Sequence, residues 1–379
     1  MWQYLNTIVT DPRLLYLIPY GSTNPENLEF LIKDVGPWLG DRGPLFIFYD
    51  QEPILGEFNF ELLDHVCSRF HHGDKFILVT TEKNSETVDL IKEKYNCPVV
   101  YYFHHVFASH DWFRGHDYNP LLIPPADRKI KKHYITFNRL TSSARVYRSI
   151  FVHELIKNNI LGHGYVSYSD VCPQGGSYRD NLIQAVKQKL IPIQLAHETI
   201  SSLDSVPMPL RIDYQNESSI PNNSFILSAV PETQESFCYV VTETCYWERK
   251  CHLTEKIFKP ILSKMPFILV GPVHNLAYLR SYGFETFGEF WDESYDRIED
   301  PILRLEAIGK LLKELCVVYS VNELEHLLIK MTPILEHNYN LFNSKKFLDQ
   351  CWNELTTNLK SVLTPDNSIP AWKSRFFRV

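Results

Sequence analysis

Three stretches of this chain place charged or hydroxyl side chains where an apolar run ends. In the first, the run Phe237–Thr244 leads to Thr254-Glu255-Lys256-Ile257-Phe258-Lys259-Pro260, and a second apolar run, Pro266–Gly271, follows. A helix-capping Thr with an acid and a Lys behind it gathers free N–H groups, a positive dipole end and an ammonium at one point. That combination suits a diphosphate, although an ordinary solvated helix start has the same composition. The second stretch is Phe137-Asn138-Arg139, followed by Arg145 and Arg148 on one side of an expected helix. A forked guanidinium grips phosphate bidentately, and buried or surface ion pairs use the same residue type. The third is Phe46-Ile47-Phe48-Tyr49-Asp50-Gln51-Glu52-Pro53, an apolar strand ending in two carboxylates before a Pro. A carboxylate at a strand's carboxyl end is placed to take a proton from a hydroxyl, or, as Asp50 could, to cap a turn.

The elements that must position these groups alternate along the chain. Leu14–Pro19, Leu45–Tyr49, Lys75–Thr80 and Val99–Tyr102 read as strands, and Asn27–Leu39, Phe58–Phe70 and Ser85–Tyr95 have helical apolar spacing. This rhythm implies parallel sheets covered by helices. A Pro-rich passage from Leu121 to Asp127 is the expected linker. Beyond it lie a strand at Tyr134–Phe137, a helix from Ser142 to Asn158 closed by Gly162 and Gly164, and a less regular region over 172–235 with one helix near Tyr178–Lys189. The α/β rhythm resumes at Phe237, with helices expected at Val273–Tyr282, Pro301–Cys316, Val321–Glu336 and Ser344–Leu363 before an aromatic and basic tail from Trp372.

Composition narrows the function classes. With 379 residues, 44% hydrophobic and 22% charged, the chain has material for two folded domains. A net charge of −7 argues against a surface devoted to nucleic acid, apart from a local basic cluster at Arg128, Lys129, Lys131, Lys132, His133, Arg139, Arg145 and Arg148. The eight cysteines form no C-x-x-C pair and read as reduced thiols in a cytoplasm. No apolar run reaches the roughly 18 residues of a membrane span, so no membrane insertion is expected. His104, His105, His110, Asp111 and His116 match no zinc spacing, and no Asp-x-Asp run is present to hold a metal against a diphosphate, so no metal is expected.

The segments Val241-Thr242-Glu243-Thr244, Thr254–Ile261 and Pro266–Pro272 together resemble the donor-binding signature of family 10 glycosyltransferases, the α-1,3-fucosyltransferases, and glycosyltransferase-like proteins of bacteriophages. The resemblance runs from Tyr134 to Asp296 and is strongest from Val240 to Phe287. It implies a GT-B fold: α/β, two Rossmann-like domains with parallel sheets facing a central cleft. Residues 1–126 would form the acceptor domain, 127–343 the donor domain, and 344–379 a C-terminal helix and tail returning to the first. It implies that Glu255 contacts donor hydroxyls, that Lys256 and an Arg, first Arg139 and then Arg145, hold the diphosphate, and that Asn138, Glu243 and Thr254 line the donor side. It also favours Glu52 over Asp50 as the base. The implied reaction is an inverting, metal-independent transfer of a sugar from a nucleotide-diphosphate sugar, a substrate rather than a cofactor, to an acceptor hydroxyl. A glycan and a hydroxymethylated DNA base remain open as acceptors, and a non-catalytic nucleotide- or sugar-binding scaffold is the competing class. Glu293 and Asp296 match the end of the phage-type pattern without an assigned role.

Overall fold

The computed structural model describes residues 13–16, 45–50, 60, 63–64, 76–114, 123–212 and 230–363. The chain divides into two compact units, Met1–Val106 with Leu348–Val379, and Phe107–Phe347. Each carries a four-stranded sheet that is parallel throughout, so the protein is mixed α/β. Among the described residues, no helix is long and apolar enough to cross a membrane. The described cysteines, Cys97, Cys172, Cys238, Cys245, Cys251, Cys316 and Cys351, are free thiols.

In the first unit, β1 (Arg13–Tyr16), β2 (Leu45–Tyr49), β3 (Phe76–Thr80) and β4 (Val99–Tyr101) lie side by side in chain order. All of β2 and β3 is buried, which is why both read as unbroken apolar runs rather than alternating ones. The helix Glu86–Tyr95 links β3 to β4; Ser85 caps its start and Asn96, in the left-handed region at φ 45°, ends it. Val88 and Ile91 of that helix pack with Leu45, Ile47, Phe76 and Leu78. The helix Lys345–Leu363 gives this unit Cys351, Leu355, Leu359 and Leu363, a buried stripe at i, i+4 spacing. Asn358 Nδ2 donates to the Tyr101 carbonyl at 2.8 Å, and Lys83 pairs with Glu354.

In the second unit, β5 (Lys132–Asn138), β6 (Gly164–Tyr168), β7 (Ser236–Thr242) and β8 (Phe267–Val270) take the order β6-β5-β7-β8. All seven residues of β7 and all four of β8 are buried. The chain steps from β5 outward to β6 on one side, then returns to the other side of β5 and continues outward through β7 to β8. Connections therefore diverge between β5 and β7, the kind of switch point at which open α/β sheets bind ligands at their carboxyl ends.

Among the described elements that sequence patterning missed, three bear on the fold. The first is β6, where Gly164 reads as a helix terminator. In the fold it pairs with Tyr134, whose ring would lie 2.2 Å from a Cβ at that position. The glycine is there to admit the ring, whose hydroxyl donates to the Ile160 carbonyl at 2.8 Å. The second is the helix Ile193–Asp204, inside the region read as irregular. The third is the helix His104–Arg114, masked in the sequence by its run of histidines. The expected helix Asn27–Leu39 and the tail from Trp372 lie outside the described residues.

The basic cluster is only partly a surface feature, since Lys129, Lys131 and Arg139 are exposed and its other arginines are buried. Arg128 is buried and donates to the carbonyls of Ile123 at 2.8 Å, Lys264 at 3.0 Å and Ser263 at 2.6 Å. Lys129 pairs with Glu325, Lys131 with Glu235, and Lys132 donates to the Gly162 carbonyl. Arg145 and Arg148 are also buried, so much of this positive charge is absorbed by the fold.

Candidate functional site

At the carboxyl end of β7 the chain runs Thr242-Glu243-Thr244, and Thr254 returns to the same place. Glu243 is fully buried, and its carboxylate gathers the loop: Oε1 accepts from the Thr254 backbone N–H at 3.2 Å, and Oε2 accepts from the Thr254 hydroxyl at 2.5 Å and the Thr244 N–H at 3.3 Å. Its own N–H donates to Val270 at the end of β8 at 3.0 Å. Burial pushes the Glu243 carboxyl above its ordinary range, opposed by the Lys256 charge and the Thr254 hydrogen bonds.

Thr254 caps the next turn as its residue type predicts, its Oγ1 accepting from the Lys256 N–H at 3.4 Å. The turn itself differs from expectation. Glu255–Ile257 is 3-10, and the α-helix behind it spans only Phe258–Leu262. So short a helical stretch carries little dipole, which leaves the Lys256 ammonium as the principal positive group here. Its Nζ donates to Thr244 Oγ1 at 3.1 Å, Thr254 Oγ1 at 3.1 Å and Glu255 Oε1 at 3.2 Å, with the side chain 27% exposed. The ammonium is held by two hydroxyls and a carboxylate at the end of a partly exposed side chain.

The β5 junction is stitched to this one. Thr242 Oγ1 donates to the Phe137 carbonyl at 2.9 Å. One guanidinium bridges both loops, Arg148 donating from Nη1 to the Leu140 carbonyl at 2.9 Å and from Nη2 to those of Thr242 and Glu243 at 2.9 and 3.0 Å. Arg148 is therefore buried and structural, where its position in the sequence suggests a helix surface. The neighbouring Tyr147 hydroxyl donates to the Glu243 carbonyl, and burial pushes its pKa up to about 12 against the nearby charges of Arg148 and Arg145. Arg145 thus acts on the Tyr147 hydroxyl, which in turn meets the Glu243 carbonyl.

Of the residues named from sequence, the structure brings Glu243, Thr254, Glu255 and Lys256 into direct contact, while Arg145 is buried in the β5 junction. Asn138 ends β5 fully buried; its N–H donates to Ser167 Oγ at 3.2 Å and its Nδ2 to Thr136 Oγ1 at 3.4 Å. Among the described residues its Oδ1, like Thr141 Oγ1, is buried without a hydrogen-bond partner, an uncommon state for a polar atom. Ser143 in the same junction has φ 52°, a strained value for a non-glycine residue. Arg139 is exposed just beyond β5. Asp50 belongs to the first unit, and Glu52 lies outside the described residues.

Other candidates prove structural. Asp296 accepts from the Leu276 and Ala277 N–H groups at 2.9 and 3.1 Å, capping the helix Asn275–Arg280. Glu293 binds the Phe287 N–H, the Thr286 hydroxyl and Arg280. Asn275, not singled out from sequence, is buried and ties Lys250, His252 and Pro272 together through their backbones. His133, His163 and Cys316 place potential metal-ligating atoms within 4.8 Å of one another at the opposite, amino edge of this sheet. There the His133 Nε2 already meets the Tyr319 carbonyl, and burial pushes the Cys316 thiol up to about 12, protonated near neutrality.

No protein-family model matches the chain, and no curated protein matches it. Among solved structures, it is similar to a chain of the Glycosylation Associate Protein (Gap123) complex from Streptococcus agalactiae, at 12% identity and a TM-score of 0.29. That match covers 93% of this chain and spans 56% of the other.

Proposed function

We propose that this chain is a glycosyltransferase of the GT-B kind, moving a sugar from a nucleotide-diphosphate sugar to an acceptor hydroxyl with inversion and without a metal cofactor. In this reading residues 127–343 hold the donor, 1–126 supply the acceptor site and its base, and 344–379 form the returning C-terminal segment. The observation that carries it is the placement of Lys256. An ammonium on a partly exposed side chain, fixed by Thr244, Thr254 and Glu255, sits at the divergence of β5 and β7, and the arginine-bearing β5 junction is tied to the same backbone. As the bond between the sugar and the diphosphate breaks, negative charge collects on the leaving oxygen. A preorganised cation stabilises that charge with no proton transfer, and removing one such group costs about 2.7–4 kcal/mol of barrier. Glu243 takes no direct part; it fixes the loop that fixes Lys256.

In this reading Glu255, 8% exposed beside Lys256, accepts from donor hydroxyls. The acceptor proton goes to the carboxyl edge of the first unit, where Asp50 stands and Glu52 follows in sequence. The test is release of nucleoside diphosphate from a panel of nucleotide sugars by the purified chain, followed by chromatography. Slow release from at least one donor, abolished in Lys256→Ala, supports the reading. No release from any donor sinks it, and donor binding without turnover favours a scaffold.

A further inference from the structure

The amino edge of the second unit's sheet gathers three side chains from three separate elements. Tyr134 and Gly164 are register partners in β5 and β6, so one residue back His133 and His163 stand side by side where the two strands begin. Their ring centroids are 5.0 Å apart, with the planes at 66°. The helix Pro301–Val318 brings Cys316 to the same place from its last turn. Potential ligand atoms of all three lie within 4.8 Å of one another, with His163 exposed and Cys316 buried.

The set has the chemistry of a metal site. The His133 Nε2 meets the Tyr319 carbonyl at 2.9 Å, and a carbonyl only accepts, so Nε2 carries the proton and Nδ1 of the neutral ring keeps its lone pair. Burial holds His133 below its ordinary pKa against that hydrogen bond, with His163 and Lys132 adding to the lowering, which favours the neutral ring. A carbonyl that fixes one imidazole nitrogen and leaves the other to a cation is the usual way a ligating histidine is oriented. The turn that presents His163 is itself anchored: the His163 N–H donates to the Ile160 carbonyl at 2.9 Å, and Lys132 Nζ to that of Gly162 at 2.7 Å. Cys316 Sγ is a soft donor whose proton a bound cation displaces.

We propose that His133, His163 and Cys316 bind a zinc-class divalent cation, with the Tyr319 carbonyl orienting His133. Two imidazoles and a thiolate suit borderline-soft zinc, whereas magnesium and calcium take oxygen ligands. Around zinc, bonds of about 2.0–2.3 Å at tetrahedral angles bring such atoms to roughly 3.4–3.6 Å of one another. The span of up to 4.8 Å closes by rotation of the exposed His163 ring, and the fourth position, on the solvent side, goes to water. The Cys316 thiol proton is released to solvent as the bond from Sγ to the metal forms. Once bound, the cation ties the starts of β5 and β6 to the end of the helix Pro301–Val318. The site lies within the second unit and is independent of the transferase reading, which needs no metal at the other edge of the sheet.

Cobalt(II) titrated into the untagged, chelator-treated full chain reads the site, because tetrahedral cobalt with a thiolate ligand gives strong visible bands and a sulfur-to-metal charge-transfer band in the near ultraviolet. The wild type should take up one equivalent with both features, and zinc should then erase them. Cys316→Ser should lose the charge-transfer band. His163→Ala changes an exposed side chain, so the fold should survive while cobalt binding weakens by about tenfold or more. Zinc should raise the unfolding midpoint of the wild type and leave that of His163→Ala unmoved. Uptake without a charge-transfer band, a spectrum unchanged in Cys316→Ser, an affinity unchanged in His163→Ala, or no uptake at all overturns the proposal. None of these outcomes bears on release of nucleoside diphosphate, so the cation site and the transferase reading fail separately.

Discussion

Glu243 allows the site to be probed without any substrate. Its carboxylate receives two backbone N–H groups and one hydroxyl in a fully buried position. In Glu243→Ala these three donors lose their acceptor, and each buried donor left unmade costs about 1–3 kcal/mol. Some refill by water lowers the sum, so a loss on the order of 3–5 kcal/mol in the stability of the second unit is expected. Glu243→Gln keeps the shape but turns one oxygen into a donor. That NH2 group then faces either the Thr254 N–H or the Thr244 N–H and Thr254 hydroxyl, so a smaller loss of about 1–3 kcal/mol is expected.

The pH dependence supplies the sign. The folded carboxyl titrates above its ordinary 4.5, so between that value and the raised one the folded state binds more protons than the unfolded. Wild-type stability therefore falls as pH rises through this window, by up to about 1.4 kcal/mol per pH unit, and Glu243→Gln lacks that slope. Chemical unfolding followed by circular dichroism at several pH values, with amide exchange at Thr244 and Thr254 as the local readout, measures both. Unchanged exchange at these two amides in Glu243→Ala, or parallel pH profiles for wild type and Glu243→Gln, would refute the reasoning.

Three further outcomes follow from named contacts. Arg148→Met removes a donor from three carbonyls at the β5 and β7 ends, of which that of Glu243 keeps the Tyr147 hydroxyl, and should cost about 2–3 kcal/mol, seen as a lowered unfolding midpoint, with Arg148→Lys recovering only part because a single ammonium lacks the fork. Gly164→Ala drives a methyl into the Tyr134 ring and should destabilise by about 1–3 kcal/mol, whereas the double change with Tyr134→Leu should cost less than the two single changes added together. Asp296→Ala removes the cap on Leu276 and Ala277 and should cost about 1–2 kcal/mol, measured in the same unfolding experiment.

What the sequence made legible was whatever a strand or a cap announces locally. The buried runs at Leu45–Tyr49, Phe237–Thr242 and Phe267–Val270 are visible because a parallel strand covered on both faces is apolar at every position. Thr254 is visible as a cap because its hydroxyl chemistry is local. What stayed hidden depends on partners distant in the chain. Arg148 reads as a surface cation until the carbonyls of Leu140, Thr242 and Glu243 are seen around it, and Gly164 reads as a terminator until Tyr134 lies beside it. Glu243 reads as one more donor-side acid, yet its oxygens are spent on Thr254 and Thr244. His104 reads as packing until the Tyr102 hydroxyl beside it, and the Asp50 carboxylate beyond, are seen to come from two different strand ends.

The most direct measurement is calorimetric titration of a panel of nucleoside diphosphates into the chain in the presence of EDTA, with wild type and Lys256→Ala side by side. The account predicts that at least one diphosphate binds the wild type without metal and that Lys256→Ala weakens it at least tenfold, about 1.4 kcal/mol. Binding that is equal in the two proteins, or no diphosphate bound by either, would contradict it.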